Sequence, residues 1–227
     1  MSARGIFITG TDTGIGKTWT TLALMHALKA SGLRVAGMKP VASGAVTVDD
    51  RLKNEDALLI QSQCSTTHPY EWINPFVFTE PVAPHIAAHN TGAIINLGTI
   101  TESFGKIAGS NDFVVVEGVG GWRVPLAEQL SIADMVRALG LPVLLVIGLR
   151  LGCINHALLT VECIRADGIP LSGIVITGIE EDYLCVEETL QMLARSINSP
   201  MLGILPHMKA FNIKTLAAKL DVKQLLD

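Results

Sequence analysis

The stretch Gly10-Thr-Asp-Thr-Gly-Ile-Gly-Lys17-Thr18 links an apolar run, Arg4–Thr9, to a segment of helical period, Lys17–Ala30. Strand, glycine-rich loop and helix in that order, with Gly-Lys-Thr at the helix entrance, form a phosphate cradle. Small residues let successive backbone N–H groups converge on phosphate oxygens, and the helix N-terminus adds partial positive charge. Lys17 then reaches the outer phosphates, and the Thr18 hydroxyl a divalent metal. The spacing departs from the common pattern, because the first glycine stands at Gly10 and the position it usually holds carries Thr11.

Outward from this loop, short apolar runs alternate with longer helical segments. Arg34–Lys39, Asp112–Glu117, Pro142–Ile147, Ser172–Thr177 and Met201–Ile204 join Arg4–Thr9 as strands. Several are near-continuous Val/Ile/Leu runs, the pattern of parallel strands covered by helices on both faces. Glu55–Ser62, Leu97–Ala108, Ile132–Leu139, Asn155–Asp167, Asp182–Ile197 and Ile213–Leu226 read as helices. Gly32, Gly140 and Gly168 fall where left-handed C-terminal caps are expected. Ser65–Asn90, with Pro69, Pro75, Pro81 and Pro84, reads as a long loop with a short edge strand. The sequence thus predicts one α/β domain spanning 1–227: a doubly wound, mostly parallel sheet with helices on both faces, P-loop NTPase-like.

Composition removes other classes. The 227 residues are 49% hydrophobic and 17% charged, with mean hydropathy +0.43 and net charge −4. Disorder requires the opposite balance, and a net negative chain lacks the basic surface of a nucleic-acid binder. No run approaches the ~18 apolar residues of a membrane span; the richest, Gly140–Leu149, stops at Arg150. The first apolar run is too short for a signal-peptide core, so a cytoplasmic protein without a membrane partner is expected. Cys64, Cys153, Cys163 and Cys185 lie far apart and read as free thiols.

Three further residues bear on the loop. Phe113-Val-Val-Val-Glu117-Gly-Val-Gly-Gly121 is an apolar strand ending in an acid, the usual second metal arm beside such a loop. Read alone, Glu117 is also compatible with a capping or ion-pair role. Asp56, in the first turn of a helix, is by itself as well explained by the helix dipole. Lys39 ends the second strand, in Gly37-Met-Lys-Pro-Val-Ala-Ser-Gly44. If strands one and two are close, Lys39 projects from the same edge as the loop, and two lysines there fit an anionic second substrate. A strand-end lysine reaching for water is the alternative.

Together these segments resemble the dethiobiotin synthetase family. The likeness also takes in Asn54-Glu-Asp-Ala57, Asn74-Pro, Pro84-His, Val116-Glu-Gly-Val-Gly-Gly-Trp122 and Leu151-Gly-Cys-Ile-Asn-His-Ala157, over about Gly5–His207. The resemblance implies an ATP- and Mg²⁺-dependent ligase acting on 7,8-diaminononanoate and CO₂. It implies metal ligation by Thr18, Asp56 and Glu117, and catalysis by Lys17, Lys39 and Thr13. It places nucleotide against Gly14, Ile15, Gly16, Lys17, Thr18, Trp19, Gly118, Val119, Gly120, Thr177, Gly178, Pro206, His207 and Met208. Ser43, Lys39 and the segment Gly152, Cys153, Ile154 and Asn155 would contact the diamine. That segment comes from the partner subunit in the family, so a homodimer with shared sites is implied.

The chain departs from the family at Thr177, where members often carry an asparagine that reads the adenine edge. A threonine hydroxyl cannot make the paired contact of an amide, so weaker discrimination among nucleoside triphosphates is expected. After Met208 the match ends. A partitioning or cell-division ATPase is the alternative reading, but those carry a lysine where this loop has Asp12. Ile213–Leu226 is expected to pack on the sheet rather than lie on a membrane. His85 and His89, four apart, lack a third metal ligand nearby. His156 and Cys153 read as structural, and Trp122 as a loop anchor.

Overall fold

A computed structural model describes residues 4–226. Six strands, β1 (Arg4–Gly10), β2 (Val35–Met38), β3 (Phe113–Glu117), β4 (Val143–Leu149), β5 (Leu171–Gly178) and β6 (Met201–Leu205), form a parallel sheet. Their order is β6-β5-β4-β1-β3-β2. Every residue of β3 and β4 is buried, which is why these segments read as unbroken apolar runs. Among the described residues, besides a four-residue helical turn at Tyr70–Ile73, eight α-helices accompany the sheet: α1 (Lys17–Ala30), α2 (Glu55–Ser62), α3 (Pro84–Thr91), α4 (Leu97–Ala108), α5 (Ile132–Leu139), α6 (Cys153–Ala166), α7 (Val186–Ser196) and α8 (Ile213–Ala217).

Alternate residues of β4 serve different cores. Leu144 and Val146 join the larger one with Leu22 and Met25 of α1, while Leu145 and Ile147 pack with Ala157 and Val161 of α6 and Leu193 of α7. Helices therefore cover both faces, as the sequence predicts. The pairs Ile8↔Glu117 and Gly10↔Val146 bring the C-terminal ends of β1, β3 and β4 to one edge. That edge is where open α/β sheets bind ligands. Strands one and two are not neighbours, because β3 lies between them.

Other expectations need correction. Ser65–Asn90 is not one long loop. It holds a turn of helix at Tyr70–Ile73, a strand Phe76–Val77 paired with Val41–Ala42, and α3. Pro84 opens α3, where its missing N–H has no partner to lose, and the helix turns Pro84, Ala87 and Ala88 inward. Ile213–Leu226 is not one helix. α8 stops at Ala217, Leu220 bridges antiparallel to Gly203, and the Asp221 N–H donates to the Leu202 carbonyl at 2.7 Å. The sheet edge takes the backbone groups that a longer helix would use. A Cβ at Gly203 would lie 2.1 Å from the Lys219 carbonyl, so this contact requires glycine. α6 begins two residues before, and α7 four residues after, the predicted starts. The hairpins Val46–Val48/Arg51–Lys53 and Pro125–Ala127/Leu130–Ser131 carried no sequence signal strong enough to be read.

The opposite edge, β2, is closed by Cys64 and Ser65, through their side chains and the Ser65 backbone. The Val35 N–H donates to Ser65 Oγ at 2.9 Å, the Ser65 N–H returns to the Val35 carbonyl at 2.7 Å, and the Gly37 N–H donates to Cys64 Sγ at 3.3 Å. Among the described residues the four cysteines are free, and no helix is long and apolar enough to cross a membrane.

Candidate active site

The phosphate loop leaves β1 at Gly10 and enters α1 through Gly16, which caps the helix at φ 87°. Its shape is held from below and from the side. Ile15 is buried, and its carbonyl accepts a hydrogen bond from the Thr177 hydroxyl at 2.6 Å. Asp12 pairs with Arg150, at the end of β4, at 2.5 Å, and its other carboxylate oxygen accepts from the Thr13 N–H at 2.7 Å. Lys17 Nζ donates to the Asp12 carbonyl at 2.6 Å. Burial pulls the Lys17 ammonium down to about 8, and the nearby Lys39 charge lowers it too, against the opposing pull of Glu117, Asp12 and Asp56.

Lys39 arrives from β2, across β3. Its ammonium lies 2.5 Å from Glu117 Oε1 and 3.1 Å from Asp56 Oδ2. Burial alone would lower its pKa, but Glu117 and Asp56 outweigh that and hold it above the ordinary lysine value. The Thr18 hydroxyl donates to the same Glu117 oxygen at 3.0 Å. The other Glu117 oxygen is buried with no hydrogen-bond partner. A buried orphan carboxylate oxygen, a second carboxylate and a hydroxyl, all oxygen donors, suit a hard divalent cation. Sequence alone left Glu117, Asp56 and Lys39 with ordinary alternatives; the structure brings the three together, with Glu117 and Lys39 in an ion pair, while Asp56 keeps its place in the first turn of α2.

A network that was not predicted sets this geometry. Asn54 caps α2 by accepting from the Ala57 N–H at 3.2 Å, placing Asp56 in the first turn. The Asn54 N–H donates to the Tyr70 hydroxyl at 2.7 Å, which donates to Asn74 Oδ1 at 2.9 Å; Asn74 Nδ2 then donates to the Lys39 carbonyl at 2.7 Å. The Lys39 N–H donates to the Ile73 carbonyl at 2.8 Å. Tyr70 thereby ties the strand end that carries Lys39 to the helix that carries Asp56. The loop after Glu117 is held by Trp122, whose indole donates to Asp167 at 2.8 Å; Arg123 and Arg137 pair with the same carboxylate.

A cavity of about 910 Å³ opens over this edge. Its wall includes Thr13, Gly14, Gly16, Lys17, Thr18 and Trp19 from the loop and α1, and Lys39, Ser43 and Asp56 beyond β3. Gly118, Val119 and Gly120 follow Glu117 on the wall, and Thr177, Gly178, Pro206, His207 and Met208 close the far side. Ser43 Oγ is buried without a partner. Leu59, Pro81, Val82 and Val124 add apolar wall that sequence reasoning missed; Pro81 and Pro84, read there as marks of a loop, were the available signal. Ile15 supports the loop and is not on the wall. Gly152, Cys153, Ile154 and Asn155 are not on the wall either. They form the entrance of α6, with Cys153 buried in the smaller core and Asn155 exposed.

A parallel sheet, a glycine loop closing on Gly-Lys-Thr and an acid on a neighbouring strand define a nucleotide-dependent enzyme of the P-loop α/β class. Solved structures agree on the fold. The ParA family ATPase of Chlorobium tepidum has a TM-score of 0.57 at 13% identity, over 99% of this chain and 93% of that one. The septum site-determining protein MinD of Pyrococcus horikoshii scores 0.57 at 18% identity, over 99% and 90%. A family profile described as an AAA domain matches residues 4–215. The ATP-dependent dethiobiotin synthetase BioD of Aromatoleum aromaticum is 45% identical over 217 residues, 96% of each chain. That of Cellvibrio japonicus is 42% identical over 227 residues, all of each chain. The chain belongs to the ATP-dependent dethiobiotin synthetase family, ligases that form a carbon–nitrogen bond. The partitioning-type alternative shares the fold and little of the sequence, and is not favoured.

Proposed function

We propose that the chain converts 7,8-diaminononanoate, CO₂ and ATP into dethiobiotin, ADP and phosphate. One observation carries this reading: Lys39, delivered by a strand other than the one bearing the phosphate loop, lies against Glu117 and Asp56 in the cavity that Lys17 lines. A second lysine suits an anion that must approach a triphosphate. In this reading one amine adds to the carbon of CO₂ and loses a proton, giving a carbamate. A carbamate oxygen displaces ADP from the γ-phosphorus, giving a carbamic–phosphoric anhydride. The second amine attacks its carbonyl carbon, the bond to the phosphate oxygen breaks, a proton is lost, and the cyclic urea closes.

Carbamate and triphosphate repel each other strongly at short range. Lys17 and Lys39 offset that repulsion and stabilise the charge in transfer. Thr13 and Ser43 hydrogen-bond the carbamate or the diamine, a role for which the unpartnered Ser43 hydroxyl is suited. Thr18, Asp56 and Glu117 would hold Mg²⁺, which when bound neutralises phosphate charge. The loop and Trp19, Gly118–Gly120, Thr177, Gly178 and Pro206–Met208 would enclose the nucleotide. Gly152–Asn155, at the N-terminus of α6, would hold the distant carboxylate of the substrate in a partner's site. A cytoplasmic homodimer with shared sites, and no nucleic-acid or membrane partner, completes the reading. The test is phosphate release from ATP that requires diaminononanoate and bicarbonate together. Equal release from ATP alone would return the chain to simple hydrolysis.

A further inference from the structure

The end of the cavity beyond the phosphate loop, away from Lys39, has few side chains able to read the edge of a base. Among the described residues no asparagine or glutamine lines the cavity. The Thr177 hydroxyl is buried and committed to the Ile15 carbonyl at 2.6 Å. His207 is the remaining polar side chain there. What this end does offer is aromatic surface. Trp19, next after Thr18 in the first turn of α1, is the only Trp, Tyr or Phe on the wall among the described residues. Behind it stands Phe211, with ring centroids 5.4 Å apart and planes tilted by 56°.

Phe211 belongs to the segment after Met208 to which the proposed reaction assigns no task. From Asn212 onward that segment is anchored. Asn212 caps α8 by accepting from the Thr215 N–H at 3.1 Å, Leu216 is buried in the larger core, and Leu220 is bridged to Gly203 on β6. The ring of Phe211, 38% exposed, sits directly before this anchored helix and leans on the Trp19 indole, where it limits the tilt of that ring.

We infer that Trp19, braced by Phe211, is a stacking shelf for a purine base, so that the C-terminal segment is part of the nucleotide site. The inference rests on the reading that this cavity takes a nucleoside triphosphate with its phosphates on the loop. Stacking senses the area of a ring rather than the donor and acceptor pattern of its edge, and tolerates different bases for that reason. Adenine and guanine nucleotides therefore bind alike, and the smaller pyrimidine ring binds more weakly. Trp19 is the specificity-determining residue. Phe211 acts through it as a positioning residue.

Calorimetric titration of the full chain with ADP, GDP, CDP and inorganic tripolyphosphate tests this. The wild-type chain is expected to bind ADP and GDP with similar affinity and CDP more weakly. Trp19→Leu is expected to weaken ADP and GDP by about tenfold or more, the effect of losing one base–aromatic stack, while tripolyphosphate binding is unchanged. Phe211→Ala should give a smaller loss in the same direction, and Phe211→Tyr should restore binding. ADP affinity indifferent to Trp19→Leu overturns the shelf alone. Parallel loss of tripolyphosphate binding also overturns it, because the change would then lie in the loop. A wild-type chain that binds tripolyphosphate but not ADP overturns the nucleotide reading itself and the shelf with it.

Discussion

Lys39 and Glu117 show how much one residue can depend on another. Glu117 is 0% exposed and Lys39 5% exposed, so neither charge has bulk water to fall back on. Removing one partner of such a buried pair typically costs about 3–5 kcal/mol, because the other charge stays behind. Lys39→Ala is therefore expected to lower the melting temperature in the absence of Mg²⁺ and to recover much of it when Mg²⁺ is added. Turnover should fall by roughly 10²–10³-fold, the scale of losing a donor aimed at transition-state charge. Nucleotide affinity should change little, since the loop, Lys17 and Thr18 remain. Thermal melts with and without Mg²⁺, alongside nucleotide titration, check both halves. Loss of ATP binding would move Lys39 out of the carbamate role. Sequence placed Lys39 at a strand end and Glu117 at another. Their contact was not legible, because it depends on β2 and β3 being neighbours.

Among the elements, α2, the Tyr70–Ile73 turn and the end of β2 behave as one piece through the Tyr70 hydroxyl. Tyr70→Phe removes the acceptor of the buried Asn54 N–H and the donor to the buried Asn74 side chain. The expected loss of stability is about 1–3 kcal/mol, the cost of stranding buried polar groups. kcat should fall while KM for ATP stays near its original value, because the phosphate loop is untouched. Denaturant unfolding and steady-state kinetics read the two effects separately. Fall of both parameters together would mean a general loosening. Elements with a local signal were legible: the continuous apolar runs of β3 and β4, and the capped helices α2 and α5. Elements made by distant partners were not. Leu220 and Asp221 look helical until β6 is beside them. Val41–Ala42 becomes a strand only because Phe76–Val77 lies alongside. Pro84 reads as a breaker in a proline-rich stretch, although it opens a helix.

For the whole molecule, the low charge content follows from a sheet buried on both faces, which the near-continuous Val/Ile/Leu runs, rather than composition alone, made legible. Strand order was not legible, since it is set by long-range pairing. Leu151, immediately before the entrance of α6, is 92% exposed, an apolar side chain that a second copy would cover in the proposed dimer. Leu151→Asp is expected to shift sedimentation from dimer to monomer and to abolish ring closure while leaving ADP binding intact. A dimer unchanged by this substitution would place the interface elsewhere. The two borders of the sheet have a different meaning. An unpaired strand is a template for runaway polymerisation of one chain onto the next. Here β2 is stopped by the side chains of Ser65 and Cys64, and β6 by the backbone at Leu220 and Asp221. Neither closure belongs to a strand of the sheet, so neither offers a fresh border in turn. Blocking the Cys64 thiol would free only the Gly37 N–H, because Ser65 still holds Val35 through its hydroxyl and its own N–H, so this border is guarded by more than one contact.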